Sequence, residues 1–139
     1  MRRLQAGYAS KCALLLSLLE EHCGDLARAE VPDGGMFAWI KVSWAVGVVD
    51  TAELIDDLVA ARVALVPGRF FSPDDAPSQH LRACFATASP AEIALGMERL
   101  GMALKKRARA GGAHRPSLTR VRGAVHQNKR VRIQHALAI

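Results

Sequence analysis

The sequence predicts an α+β fold, a small mostly antiparallel sheet with helices packed on it. Long segments near each end of residues 1–107 repeat apolar residues at helical spacing. Short runs between them alternate in polarity or are rich in β-branched and aromatic residues, as strands are. A glycine turn, Pro32-Asp33-Gly34-Gly35, joins the first two of those runs and favours antiparallel pairing.

Each element has its own signal. Leu4, Tyr8, Cys12, Leu15 and Leu19 recur every three or four residues, so Met1 to about His22 is a helix, ended by Gly24. Leu26 to Val31 is expected as a short strand. Met36 to Val42 follows, with Phe37 and Trp39 on one face and Met36, Ala38 and Ile40 on the other. Apolar residues on both faces place it centrally or under a large partner surface. Ser43 to Val49 is a loop, or an extension of that strand. Asp50 and Glu53 have capping-box spacing, and Leu54, Leu58 and Ala61 share a face, so Thr51 to Arg62 is a second helix. Val63 to Val66 is a buried strand stopped by Pro67-Gly68, and Arg69 to His80 is a loop rich in breakers. Leu81 to Ala86 alternates as a strand. Ser89-Pro90-Ala91-Glu92 then starts a helix running to about Arg107, with Ile93, Met97, Leu100 and Leu104 on one face.

The chain has 139 residues, half of them hydrophobic and 23% charged, which suits one small globular domain. No apolar run approaches the roughly 18 residues a membrane span needs. Glu20, Glu21 and His22 stand where a signal peptide would need a small-residue cleavage site, so no targeting segment is expected. Three cysteines without metal-type spacing argue for reduced thiols, hence a cytoplasmic location with a mitochondrial one open.

The formal charge of +6 is unevenly placed. Residues 1–104 hold nine lysines and arginines against thirteen acids, a net of −4, and residues 105–139 hold ten bases and no acid. The basic character belongs to a tail, residues 108–139, expected to be extended or disordered beyond a domain at residues 1–107.

Most chemistries are poorly supported. No His-x-x-x-His or Cys-x-x-Cys occurs, so a metal site is not expected. Ser89 is accounted for as a cap, and there is no Gly-x-Ser-x-Gly. Gly34-Gly35 precedes a strand rather than a helix, unlike a phosphate loop. Cys84 projects from the same strand face as Arg82, where a packing role is commoner than a reactive one. Arg82 stands inside a strand. It is either an edge-strand charge facing solvent or a guanidinium offered rigidly to a carboxylate. The tail has bases for phosphate contact but no aromatic residue for base stacking, so nucleic acid is disfavoured as a partner.

Pro32-Asp33-Gly34-Gly35-Met36-Phe37-Ala38-Trp39-Ile40, then Val66-Pro67-Gly68-Arg69-Phe70-Phe71, then Leu81-Arg82-Ala83-Cys84-Phe85-Ala86 resemble the C-terminal part of class I/II aminotransferases. These are fold-type I enzymes that use pyridoxal phosphate. The likeness is strongest to kynurenine/2-aminoadipate aminotransferases, which have a similar Ala-Pro-Ser stretch, here Ala76-Pro77-Ser78, and it covers roughly residues 4 to 105. The resemblance implies an aminotransferase small domain in which Arg82 binds the α-carboxylate of an amino-acid substrate. It implies that Pro67-Gly68 and Phe71 shape the loop over the substrate entrance. It also implies amino-acid and 2-oxo-acid substrates, a homodimer, and no membrane.

The family's Schiff-base lysine, its pyridine-pairing aspartate and its phosphate groups have no counterpart here, and Lys11 and Lys41 match no family lysine. The expectation is a small domain alone, inactive without its large domain, as a truncated gene or shifted reading frame would leave it. The alternative is a small basic protein that binds nucleic acid or an acidic partner through its tail.

Overall fold

Alternation along the middle strands decides how the molecule is layered. The computed structural model describes residues 2–30, 37–110 and 137–138. Its strands are β1 (Ala27–Glu30), β2 (Phe37–Val42), β3 (Val63–Ala64), β4 (Val66–Pro67), β5 (His80–Cys84) and β6 (Leu137–Ala138), and its helices α1 (Arg2–Cys23), α2 (Ile55–Ala60) and α3 (Pro90–Ala110). The main sheet is ordered β1-β2-β5-β4 and is antiparallel throughout. The expected α+β architecture is therefore present, and β2 is an inner strand as its two apolar faces suggested.

One face of that sheet is the core. Ala38, Ile40 and Val42 of β2 and Leu81 and Ala83 of β5 are buried against Leu15 and Leu19 of α1 and Ile93, Met97, Leu100 and Leu104 of α3. The helical spacing seen in the sequence supplies both apolar stripes, and burying each large aliphatic side chain contributes about 1.5–3 kcal/mol. The start of α3 carries a reciprocal cap: the Glu92 amide donates to Ser89 Oγ (3.2 Å) and the Ser89 amide to the Glu92 carboxylate (2.8 Å).

Several boundaries differ from expectation. The single strand expected over Val63 to Val66 is two. Leu65 turns into the core between them, β4 pairs with β5, and β3 pairs in parallel with β6. Pro67 has no amide to donate, which suits β4 to the sheet edge. The segment after β2 is not more strand. Ser43 caps a 3₁₀ turn over Trp44–Val46, and Gly47 leaves it at φ 83°. The second helix begins as a 3₁₀ turn, Thr51–Leu54, under the expected Asp50/Glu53 capping box, and its helical part ends at Ala60 rather than Arg62. Arg62 takes φ 59°, and Arg99 Nη1 donates to its carbonyl (3.0 Å). β5 starts one residue early and stops at Cys84; beyond it the Ala86 carbonyl accepts from Lys11 Nζ (3.0 Å) instead of from a strand. α3 continues to Ala110, past the expected Arg107. The tail expected to be disordered over 108–139 is helical through Ala110 and carries β6 at Leu137–Ala138, and its other residues, like the Pro32–Gly35 turn, lie outside the described residues.

α1 and α3 approach closely at Gly101, where a Cβ would stand 2.5 Å from the His22 carbonyl oxygen. Backbone cannot yield as a side-chain tip can. Gly101→Ala is expected to destabilise the fold by about 1–3 kcal/mol, as overpacked sites do. A denaturant midpoint equal to that of the parent would show that the helices separate freely.

Candidate functional site

The other face of the sheet is not covered by α1 or α3. Side chains alternate across a strand, so burying Ala38, Ile40, Leu81 and Ala83 places Phe37, Trp39, Lys41, His80, Arg82 and Cys84 together on the open face. Antiparallel register sets Trp39 opposite Arg82, Phe37 opposite Cys84 and Lys41 opposite His80. Arg82 is on an inner strand, so the edge-strand alternative for it is excluded.

Arg82 lies between two rings. Its guanidinium carbon is 4.2 Å from the Phe37 ring centre and 4.1 Å from that of Phe71. Phe37 comes from the neighbouring strand. Phe71 comes from a 3₁₀ turn, Gly68–Phe71, which interrupts what the sequence suggested was plain loop. Trp39 stands edge-on to Phe71 (5.6 Å between centres) and to His80 (6.2 Å). Rings packed this close to a guanidinium shield it from water and leave its in-plane N–H groups for an anion. Among the described residues Arg82 forms no ion pair, and its buried Nε has no hydrogen-bond partner. A planar fork held open in this way suits a carboxylate or phosphate.

The β5 end of the site is pinned by polar contacts that no local motif announces. Gln79, buried, donates through Nε2 to the carbonyls of Val48 (2.8 Å) and Val49 (2.6 Å). Thr51 Oγ1 donates to the His80 carbonyl (2.8 Å). Sequence reasoning singled out Arg82, and Phe71 through the resemblance, and the structure brings Phe71 against Arg82 beside Phe37, Trp39 and Cys84 of the open face. It missed His80 and Gln79, whose partners lie on other segments.

A pyridoxal phosphate site needs a lysine amine, a carboxylate for the pyridine nitrogen and phosphate donors converging near the substrate. The side chains against Arg82 are Phe37 and Phe71, backed by Trp39 and His80, and none is a lysine or an acid. Lys11 is spent on the Ala86 carbonyl. Two shallow clefts, about 490 and 210 Å³, are lined mainly by α3 residues such as Met102, Lys105 and Lys106, and α3 covers the opposite side of the sheet from Arg82. The described residues therefore do not fit the cofactor. They hold no cluster of metal-ligating side chains either, and no helix among them is long and apolar enough to cross a membrane.

With this geometry in hand, comparison with known proteins is decisive. The mitochondrial kynurenine/alpha-aminoadipate aminotransferase of Mus musculus is 37% identical over 101 residues, 71% of this chain and 23% of that protein. The chain is homologous to the kynurenine/aminoadipate aminotransferases. The 2-aminoadipate transaminase of Thermus thermophilus is 30% identical over 105 residues, 76% of the chain and 26% of the enzyme. The chain thus spans about a quarter of the length of these curated relatives. Solved structures agree. The alpha-aminoadipate aminotransferase of Thermus thermophilus, complexed with N-(5'-phosphopyridoxyl)-L-leucine, superposes with a TM-score of 0.66 at 30% identity over 73% of this chain and 25% of that one. The kynurenine aminotransferase of Pyrococcus horikoshii gives 0.64 at 25% identity over 71% of this chain and 24% of that one. No protein-family model matches the chain.

The three cysteines are free and differ in environment. Burial pushes the Cys23 thiol up to about 11, against a smaller opposing pull from Lys105, and burial also raises Cys12. Cys84 is half-buried on the open face. Iodoacetamide near neutral pH is expected to label Cys84 first and to reach Cys12 and Cys23 only on unfolding, as peptide mapping would read. Cys23 also carries a linkage effect. Below its ordinary value of 9.0 both states keep the proton; above it the unfolded chain loses the proton first, so stability falls as pH rises toward about 11. Cys23→Ala should flatten that fall.

Proposed function

We propose that residues 1–107 are the small domain of a pyridoxal-phosphate-dependent aminotransferase that moves an amino group between an amino acid and a 2-oxo acid. Aromatic or 2-aminoadipate-like amino acids are the substrates its relatives' names suggest. The observation that carries the proposal is Arg82: a guanidinium stacked between Phe37 and Phe71, on an open sheet face, with its buried Nε unpartnered. In this role its edge N–H groups take the substrate carboxylate in two parallel hydrogen bonds and orient the amino acid, while Phe37 and Phe71 exclude water from both sides.

The cofactor supplies the electron sink for transamination and is held by parts of the enzyme beyond these residues, as is the second subunit's share of a homodimeric site. Reduced thiols and a mitochondrial relative fit a cytoplasmic or mitochondrial setting.

Two experiments test this. The purified chain mixed with pyridoxal phosphate and an amino acid should show no single-turnover transamination; a detectable half-reaction would contradict the assignment. Supplied with the remaining three quarters of a homologous aminotransferase as a separate chain, it should restore activity. In that complex Arg82→Gln should lower kcat/KM by about 2–5 kcal/mol, or roughly thirty- to several-thousand-fold. An unchanged kcat/KM would remove Arg82 from substrate binding.

A further inference from the structure

We propose that Arg69 is a positioning residue for the carboxylate clamp. It locks the turn that carries Phe71 onto buried Asp50, and so fixes the plane of the Arg82 guanidinium. The proposal rests on the carboxylate-binding role given to Arg82 above.

Phe71 needs such a lock. It and Phe70 are each 42% exposed, and Gly68 is the turn's buried residue. Beyond the turn the Ser72 amide donates to the Arg69 carbonyl (3.1 Å) and the Asp75 amide to the Ser72 carbonyl (3.2 Å). At one end Gly68 sits so close to Ser78 and the His80 carbonyl that a Cβ would not fit. At the other end Arg69 spans three oxygens. Its Nη1 forms an ion pair with Asp50 Oδ2 (2.6 Å) by proximity rather than by hydrogen-bond alignment, its Nε donates to Asp75 Oδ1 (3.3 Å), and its Nη2 donates to the Asp75 carbonyl (2.9 Å). Asp75 adopts φ 54°, in a turn where its side chain and its carbonyl both reach Arg69.

Asp50 is what makes this a lock rather than a surface ion pair. Its residue is only 3% exposed, and its other carboxylate oxygen is fixed by accepting from the Ala52 amide (3.1 Å). A buried carboxylate without its cation is strongly unfavourable, so the pair resists opening. Asp50 also begins the segment that Gln79 and Thr51 fasten to the start of β5, the strand bearing Arg82. Both walls of the clamp therefore refer to one frame: Phe37 through β2, and Phe71 through Arg69 and Asp50.

The test uses side-chain NMR of the full chain. Protons of a guanidinium stacked between two rings are displaced by ring currents. In Arg69→Gln without added anion, the Arg82 Nε–H and Cδ–H signals should move about halfway toward unstacked arginine, because Phe37 remains. Arg69→Lys, which keeps a cation for Asp50 but loses the fork onto Asp75, should give an intermediate shift. Pyruvate should displace the Arg82 Nε–H signal of the parent saturably and should bind several-fold more weakly to Arg69→Gln. If Arg69→Gln fails to fold, Asp75→Asn cuts one exposed arm of the lock and should shift the same signals less far. Folded variants whose Arg82 signals match the parent overturn the lock, whatever their stability. A parent whose stacked Arg82 ignores pyruvate overturns the carboxylate role instead.

Discussion

A guanidinium between two phenyl rings can meet an anion only in its own plane. Stacking on a ring is worth about 0.5–1 kcal/mol when exposed and about 2 or more when desolvated, and it removes water from the faces of the cation. The in-plane N–H groups keep their full demand for an acceptor. In this chain Phe37 and Phe71 supply the rings, and Arg82 Nε is buried without a partner. That unfilled demand is what the proposed carboxylate role of Arg82 rests on.

The fold exists, in this sense, to keep that face open and those rings in place. α1 and α3 bury one side of the sheet through the stripes ending in Leu19 and Leu104, and the pleat then presents Phe37, Trp39 and Arg82 on the other. Register between β2 and β5 places Trp39 against Arg82. The short edge strand β4 ends at Pro67, and the turn that follows delivers Phe71. A buried core on one side and a polar frame of Gln79, Thr51 and Asp50 on the other hold β5 between them. The relatives are about four times longer than the part matched here.

Elements with local causes were legible in the sequence. The Ser89/Glu92 and Asp50/Glu53 caps, the two helical stripes and the alternation of β2 each depend on residues within a few positions of one another, and each appears as expected. Arg82 was legible as a candidate because a charge inside a strand is unusual locally, and Phe71 through the family resemblance. What was not legible depends on distant partners. Val63–Val66 reads as one strand, because nothing nearby shows that Val66 pairs with Arg82 while Val63 pairs with Leu137. Beyond the early stop of β5 the Ala86 carbonyl is met by Lys11, at the far end of the chain. Arg69 falls in a segment that reads as loop, and its buried partner Asp50 lies on another segment.

The account stands on Arg82 being a carboxylate fork, and a crystal structure of the chain soaked in a simple 2-oxo acid tests that most directly. The carboxylate should lie in the plane of the Arg82 guanidinium, with two nitrogen–oxygen distances of about 2.7–2.9 Å, between rings that have not moved. A carboxylate found only at other basic groups, with Arg82 still unpaired between Phe37 and Phe71, would contradict it.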